Sequence, residues 1–545
     1  MKQKRYIYGF SLLVLGALTF HACDFLDEEP VNRKDSAVAW ETPADALANV
    51  NALYFGGVPY LNNTDVDGGW TPKATMWGGI ISGLFVDMKK DRNFTNASEN
   101  LNFNVASFDD TAWKLWHEFY KGISRANFVI ANIPTMAEVL DQPTINNYLA
   151  QGKFFRAYGY FWLVKEFGDV PYVDKPYTAP VDMYLPRVPA AEVYGHIEAD
   201  LSEIIASNAL PDKTFYENGG YATKAMAETL LAEVYLQHAG YPLNGGQEYY
   251  EKAAKVALSV INAKVHELAQ DRPGMSAFNV LKLDETTANR EIIYAKEYNQ
   301  SLGVGNSYPT RSVITDASQW KDINDKVFLN PGGGVLYNAY QPAAIILNSY
   351  EANDARIQEK EFFFWELTDP TGVLHTIPRD TPGNWAWFDQ EALANGRDGS
   401  YNIPTFRYAE VLLIAAEALA RTGHEENAVG GAKYYLNQVR RRAGLADETA
   451  SGEELIAAIL TERLHEFPLE FKIWDDIRRT RLYPEAGKAV GRLDWKPLST
   501  AIIQNKPAGF TKQGVLPEYV LLWPIPLKEM QASPALQGHQ NPGWN

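Results

Sequence analysis

Two stretches decide the fold: AETLLAEVYLQHAG (227–240) followed by YYEKAAKVALSVI (249–261), and AEVLLIAAEALARTG (409–423) followed by AKYYLNQVRRRAG (432–444). Within each member, apolar residues return every three or four positions, the spacing that gathers them on one face of an α-helix. Ala227, Glu228, Leu230 and Leu231 align with Ala409, Glu410, Leu412 and Leu413, so one pattern is used twice. A helix, a Gly-containing turn and a second helix, with Ala at positions of close approach, is the layout of a tetratricopeptide-type repeat unit. The two copies are degenerate and far apart in the chain. An uninterrupted solenoid is therefore not expected; helix pairs forming a right-handed scaffold with long insertions are.

The same spacing extends outward. Trp116, Tyr120, Ile123, Asn127 and Ile130 mark one helix face. Phe154, Ala157, Tyr158, Phe161 and Lys165 mark another, ended by Gly168 and Pro171, and Val193, Ile197, Leu201 and Ile204 a third. Further helices are predicted over 224–237, 249–263, 407–421, 432–442 and 455–467. Sustained alternation of period two is scarce, so the fold class is all-α. Two stretches, 55–110 and 266–402, break the pattern. They are rich in Gly, Asn, Pro and aromatics, as in GGWTPKATMWGG (68–79), NPGGGVLYNAYQP (330–342) and TPGNWAWFDQ (381–390). Loops of this length in a compact body usually carry function or small elements of their own, so the binding surface is expected there.

The first 22 residues read as a secretory signal peptide: Lys2, Lys4 and Arg5, then a largely apolar run from Ile7 to Phe20 that is too short for a membrane-spanning helix. Cys23 follows Ala22 directly and is the only cysteine of the 545 residues, so there is no intramolecular disulfide and no cysteine metal cage. Its place fits a bacterial lipoprotein whose acylated Cys23 tethers a soluble body, residues 23–545, to a membrane. Phe20 and His21 depart from the usual sequence before such a cysteine, and CDFLDEEP (23–30) reads as an acidic, extended tether. With a net charge of −17, the chain is repelled by nucleic-acid phosphates.

Ordered blocks along the chain resemble the SusD/RagB family, the surface nutrient-binding lipoproteins of Bacteroidetes. They include CDFLDEEP, WKLWHEFYKGISRANFVIANI (113–133) and GKFFRAYGYFWLVKEFGDVPYV (152–173), in which Arg156, Ala157, Tyr158, Gly168, Asp169 and Pro171 occupy signature places. LPRVPAAEVYGHIEADLSEIIASNALP (185–211), RYAEVLLIAAEAL (407–419), LNQVRRRAGL (436–445), TERLHEFPLEFKIWDDIRRT (461–480), YVLLWPIPLKEM (519–530) and QNPGWN (540–545) continue the series. Pro468 and Leu469 before Glu470, Lys472 in place of the usual Arg, and Asp476-Ile477 before Arg478 depart from the family pattern. The resemblance implies one SusD-like domain, with parts of about 23–310 and 311–545. It also implies a cell-surface place in the outer membrane, a SusC-like TonB-dependent transporter as partner, and oligosaccharide capture without hydrolysis. Peptide capture, as in the RagB branch, is the alternative.

Sugar rings present C–H faces edged by hydroxyls, which aromatic planes and polar side chains meet respectively. Among 14 Trp, 30 Tyr and 25 Phe, the candidates for a platform are Trp70, Trp77, Trp320, Trp385 and Trp387, because each sits among loop-forming residues rather than on an apolar helix. Arg92 and Asn93 in DMKKDRNF (87–94) are candidates for hydrogen bonds to hydroxyls. No metal, cofactor or catalytic residue is assigned. Asn63, Asp65 and Asp67 resemble the start of a calcium loop, but its twelfth position is Ala74 where a bidentate Glu belongs, so an Asx-rich turn is the reading. HEF occurs in 117–119 and 465–467 without the second His of a zinc site, there is no G-x-S-x-G, and Gly332 to Gly334 lack the Lys of a phosphate loop.

Overall fold

The computed structural model describes residues 39–55, 78–86, 103–177, 183–283, 289–303, 305–306, 308–309, 321–329, 340–390, 392, 399–503 and 514–544. Its main helices are α1 (Pro43–Asn51), α2 (Val105–Asn132), α3 (Gln142–Phe167), α4 (Ala190–Ser207), α5 (Lys224–Ala239), α6 (Gly246–Ala263), α7 (Tyr408–Arg421), α8 (Ala432–Arg442), α9 (Glu453–Glu466) and α10 (Ile473–Thr480). Capping sets several starts: Asn104 accepts from the Ser107 amide at 3.1 Å and Asp141 from the Thr144 amide at 2.9 Å, each satisfying an orphan donor of the first turn. Capped by Asn104, α2 starts at Val105, inside the stretch 55–110 expected to be irregular.

Each helix packs on the next in the order α2, α3, α4, α5, α6, α7, α8. Residues 264–407 are looped out between α6 and α7, yet α6 lies directly against α7, so the two sequence repeats are neighbours in space. The helix-pair scaffold with long insertions is as expected: the stack is broken in sequence and continuous in packing. A helix pair cannot bury its apolar face alone, and the insertion leaves and returns without prising the pairs apart. Close approach is built in at Gly152 and Gly159 of α3, where added Cβ atoms would lie 3.0 Å and 2.9 Å from Ile130 and Ile123 of α2. At Gly168, φ is +71°, a backbone region open to glycine, and the chain turns out of α3 there.

Sheets among the described residues are all two-stranded. Strand β1 (Ile292–Lys296) pairs antiparallel with β2 (Ile403–Arg407), with Ile292 opposite Arg407, and clamps the base of the insertion just before α7. A hairpin of β3 (Leu482–Ala486) and β4 (Leu493–Pro497) follows α10. The fold is thus mostly helical with small sheets confined to the irregular parts.

The block 461–480 supplies a charged joint inside the protein. Arg407, with almost no exposed surface, pairs with Glu291, Glu466 and Glu470 at 2.5, 2.9 and 2.7 Å. Arg356 pairs with Asp354, Glu462 and Glu466, and Arg479 with Glu417 and Asp476. Lys165 and Glu166 of α3 reach Asp475 and Arg478 of α10. Burial alone pushes the Glu466 carboxyl up, but Arg442, Arg407 and Arg356 overcome it and hold it at about 2. Lys472, the departure from the family pattern, is absorbed: its ammonium donates to the Thr405 carbonyl at 2.8 Å and pairs with Glu410 at 3.0 Å.

Candidate ligand-binding face

The loops expected to carry the site leave the body around one buried aromatic cluster. Phe85 stacks on Tyr340 with ring centres 3.9 Å apart. Tyr340 meets Phe471 at 5.1 Å and Trp387 at 5.9 Å, and Tyr308 meets Trp387 at 4.9 Å. These five rings come from five separate stretches of chain, and offset or edge contacts of this kind fix loop roots by area and by ring electrostatics together. Backbone pairing adds to them: Phe85 and Val86 ladder with Pro342 and Gln341, and Asn306 bridges Gly399 through bonds of 2.7 and 2.8 Å. At Gly79 an added Cβ would sit 2.0 Å from the Tyr340 hydroxyl, and at Gly78 2.1 Å from the Trp474 ring. The Gly-Gly after Trp77 is therefore a packing requirement of this cluster.

A smaller core braces the same face. Phe328, Phe364, Leu367, Ile377 and Phe388 form it, with Trp385 packed alongside. Inside it His375, fully buried, stands between two carboxylates, Nδ1 3.4 Å from Asp322 and Nε2 3.2 Å from Asp369. Asp322 also accepts from the amides of Asn324 and Lys326, and Asp369 from those of Val373 and Leu329. Burial raises the Asp369 carboxyl, and bonds from Thr371, Val373, His375 and Leu329 bring it well below the usual carboxylate range. Residues 321–329, which directly follow Trp320, are pinned by this arrangement.

Of the expected platform residues, Trp387 is corrected. It is 4% exposed and packed among Tyr308, Tyr340 and Phe471, so it is a foundation of the face and offers no open plane. Large apolar area favours the core once the loop folds back on the scaffold, a choice the local composition of 381–390 does not reveal. Trp385 is half-buried. Its indole N–H donates to Asn279 at 2.7 Å, its ring stacks on Phe388 at 4.8 Å, and the Lys282 ammonium lies 4.6 Å from the ring centre. Burial lowers the Lys282 amine to about 8. Trp70, Trp77, Arg92, Asn93, Trp320, Cys23 and the Asn63–Asp67 run (residues 63–67) lie outside the described residues.

Sequence reading missed Asp322, Asp369 and His375. The first two sit in Asx-turn contexts, which are legible, but nothing in spacing tells that one imidazole joins them. Among the described residues no group of three or more His, Cys, Asp or Glu is arranged to hold a metal ion, and no helix is long and apolar enough to cross a membrane.

Known proteins share both the sequence and this architecture. A model of the SusD family matches residues 384–544, and a model described as starch-binding, associating with the outer membrane, matches residues 24–236. SusD-like protein P2 of Formosa agariphila is 27% identical over 506 residues, spanning 88% of this chain and 91% of its own. The crystal structure of a SusD superfamily protein from Parabacteroides distasonis superposes with a TM-score of 0.74 at 26% identity, covering 92% of this chain and 99% of that one. Surface glycan-binding protein A from Bacteroides thetaiotaomicron, solved with laminarihexaose, has the same fold at a TM-score of 0.67 and 20% identity, covering 92% and 99%.

Proposed function

We propose that this chain, which belongs to the SusD-like family, captures oligosaccharides at the outer surface of the cell and passes them unhydrolysed to a SusC-like TonB-dependent transporter. The observation that carries the reading is the aromatic cluster of Phe85, Tyr308, Tyr340, Trp387 and Phe471. It anchors the loop ends that continue in sequence into Trp77 and Trp320, next to the half-buried Trp385. A rigid root lowers the entropy lost when loop side chains order on a ligand. The family description as starch-binding and outer-membrane-associated supports the same reading, as does the glycan complex of a protein with this fold.

Capture through a few stacked rings on an open face is weak, about 4 to 8 kcal/mol, or millimolar to micromolar. A lipid on Cys23 would hold the chain beside its transporter and raise the effective concentration of the ligand there. Electrophoresis in native gels loaded with polysaccharide tests the reading. The parent protein is expected to be retarded without releasing reducing sugar, and Ala at Trp70, Trp77, Trp320 or Trp385 to relieve the retardation. If no gel retards the parent, or if reducing ends appear, the reading is wrong. Mass spectrometry of the mature N-terminus is expected to show acylated Cys23, and the transporter to co-purify from membranes.

A further inference from the structure

A second cleft, sharing no residue with the loop face, opens between α2, the chain leaving α3 and the C-terminal segment. It has a volume of about 300 Å³, at the small end of ligand sites. Its walls are stapled in place: the Tyr120 hydroxyl donates to the Pro171 carbonyl at 2.6 Å, and the Asn127 amide to the Val173 carbonyl at 2.9 Å. Asn127 also accepts from Arg156, which is itself paired with Asp200. The cleft is therefore pre-formed.

We propose that this cleft is a second saccharide site, taking an uncharged sugar of one or two rings. Tyr120, backed by the buried Trp116 with ring centres 5.0 Å apart, lines the cleft with Val173, Met183 and Leu185, giving apolar walls for the C–H faces of a ring. Ser124 and Tyr177, both hydroxyl-bearing, line the cleft as well. Uncharged hydroxyls match sugar hydroxyls, which both donate and accept, whereas a purely aliphatic occupant would leave them unmet. Lys121 and Lys175 line the cleft together with His117 and Glu529, and this mixture makes no single-sign field to select an ionic ligand.

The test uses the full chain and saturation-transfer NMR with maltose, laminaribiose, cellobiose and mannobiose. In a chain carrying Ala at Trp70, Trp77, Trp320 and Trp385, which removes the loop platform, at least one disaccharide is expected to receive saturation. In that background Ser124→Trp, which fills the cleft, should abolish the transfer, and Tyr177→Phe should weaken binding by about tenfold, or 1.4 kcal/mol. Introduced into the parent, both changes should leave retardation in polysaccharide gels intact, because the loop face is untouched. Two variants guard against misfolding, and unchanged thermal melting identifies those that fold. Absence of transfer from all four sugars overturns the cleft proposal, as does transfer indifferent to both substitutions. Neither result bears on the loop face, whose failure appears only as lost gel retardation.

Discussion

Arg407 and Glu466, both fully buried, lie 2.9 Å apart, and through this pair the last residue of β2 is tied to the last residue of α9. Glu466 also accepts from Arg356 and Arg442, so one carboxylate is shared by three guanidinium groups, each of which has a further carboxylate partner. Truncating one member of such a set strands buried charge, at a cost of about 3 to 5 kcal/mol. Glu466→Ala is expected to lower the urea midpoint accordingly, with β1–β2 and α8 losing amide protection first.

The same joint makes stability depend on acid. Glu466 and Glu417 are each held at about 2 against an ordinary value of 4.5; burial pushes both up, and Arg442 on the one and Arg479 on the other pull them further down. Depressed carboxylates contribute stability that is fully present above the unfolded value and is lost as pH falls from 4.5 towards 2. Urea midpoints measured across that window should decline steeply for the parent and less so for Glu417→Gln. A flat profile for the parent contradicts the ion-pair geometry.

Lys472 and Glu410 form a second coupled pair. Burial raises the Glu410 carboxyl to about 7 against the pull of Lys472. Lys472→Met leaves Glu410 without its cation and should destabilise strongly. Adding Glu410→Gln should restore part of the loss, with a coupling of about 0.5 to 3 kcal/mol in the double-mutant cycle by urea denaturation.

Trp387→Ala should behave as a core deletion, losing about 3 to 5 kcal/mol. Trp385→Ala, at a half-buried position, should cost less stability. Thermal melts separate the two effects from any change in gel retardation.

His375→Leu removes the group standing between Asp322 and Asp369, leaving two buried carboxylates facing an aliphatic chain. Hydrogen exchange is expected to quicken in 321–329 and 366–376 while α2 to α8 keep their protection. Uniform protection across both regions would show that the imidazole is not the latch.

Helix existence was legible from periodicity where one face is buried: Ile123, Ile197 and Leu201, read as face markers of α2 and α4, are in the core, whereas 154–167 of α3, which holds Phe161, is buried nearly all round. The start of α2 was not, since one capping side chain, Asn104, outweighed the composition around it. Trp385 and Trp387 stand two positions apart in the same aromatic loop, yet one is half-buried and the other packed among three rings. Local sequence cannot separate them, because the rings that cover Trp387 come from positions 308, 340 and 471.

Periodicity, the Gly-rich interruptions and the ordered blocks determine the helical scaffold, its family and the place of the insertions, because these are properties of residues near one another along the chain. Tertiary structure alone decided that α6 meets α7 across the looped-out insertion, that the charged block 461–480 finds its partners at Arg356, Arg407, Glu417 and α3 inside the body, and which aromatics brace the face. Those outcomes rest on contacts between residues tens to hundreds of positions apart, where burial and charge compensation are settled by three-dimensional packing.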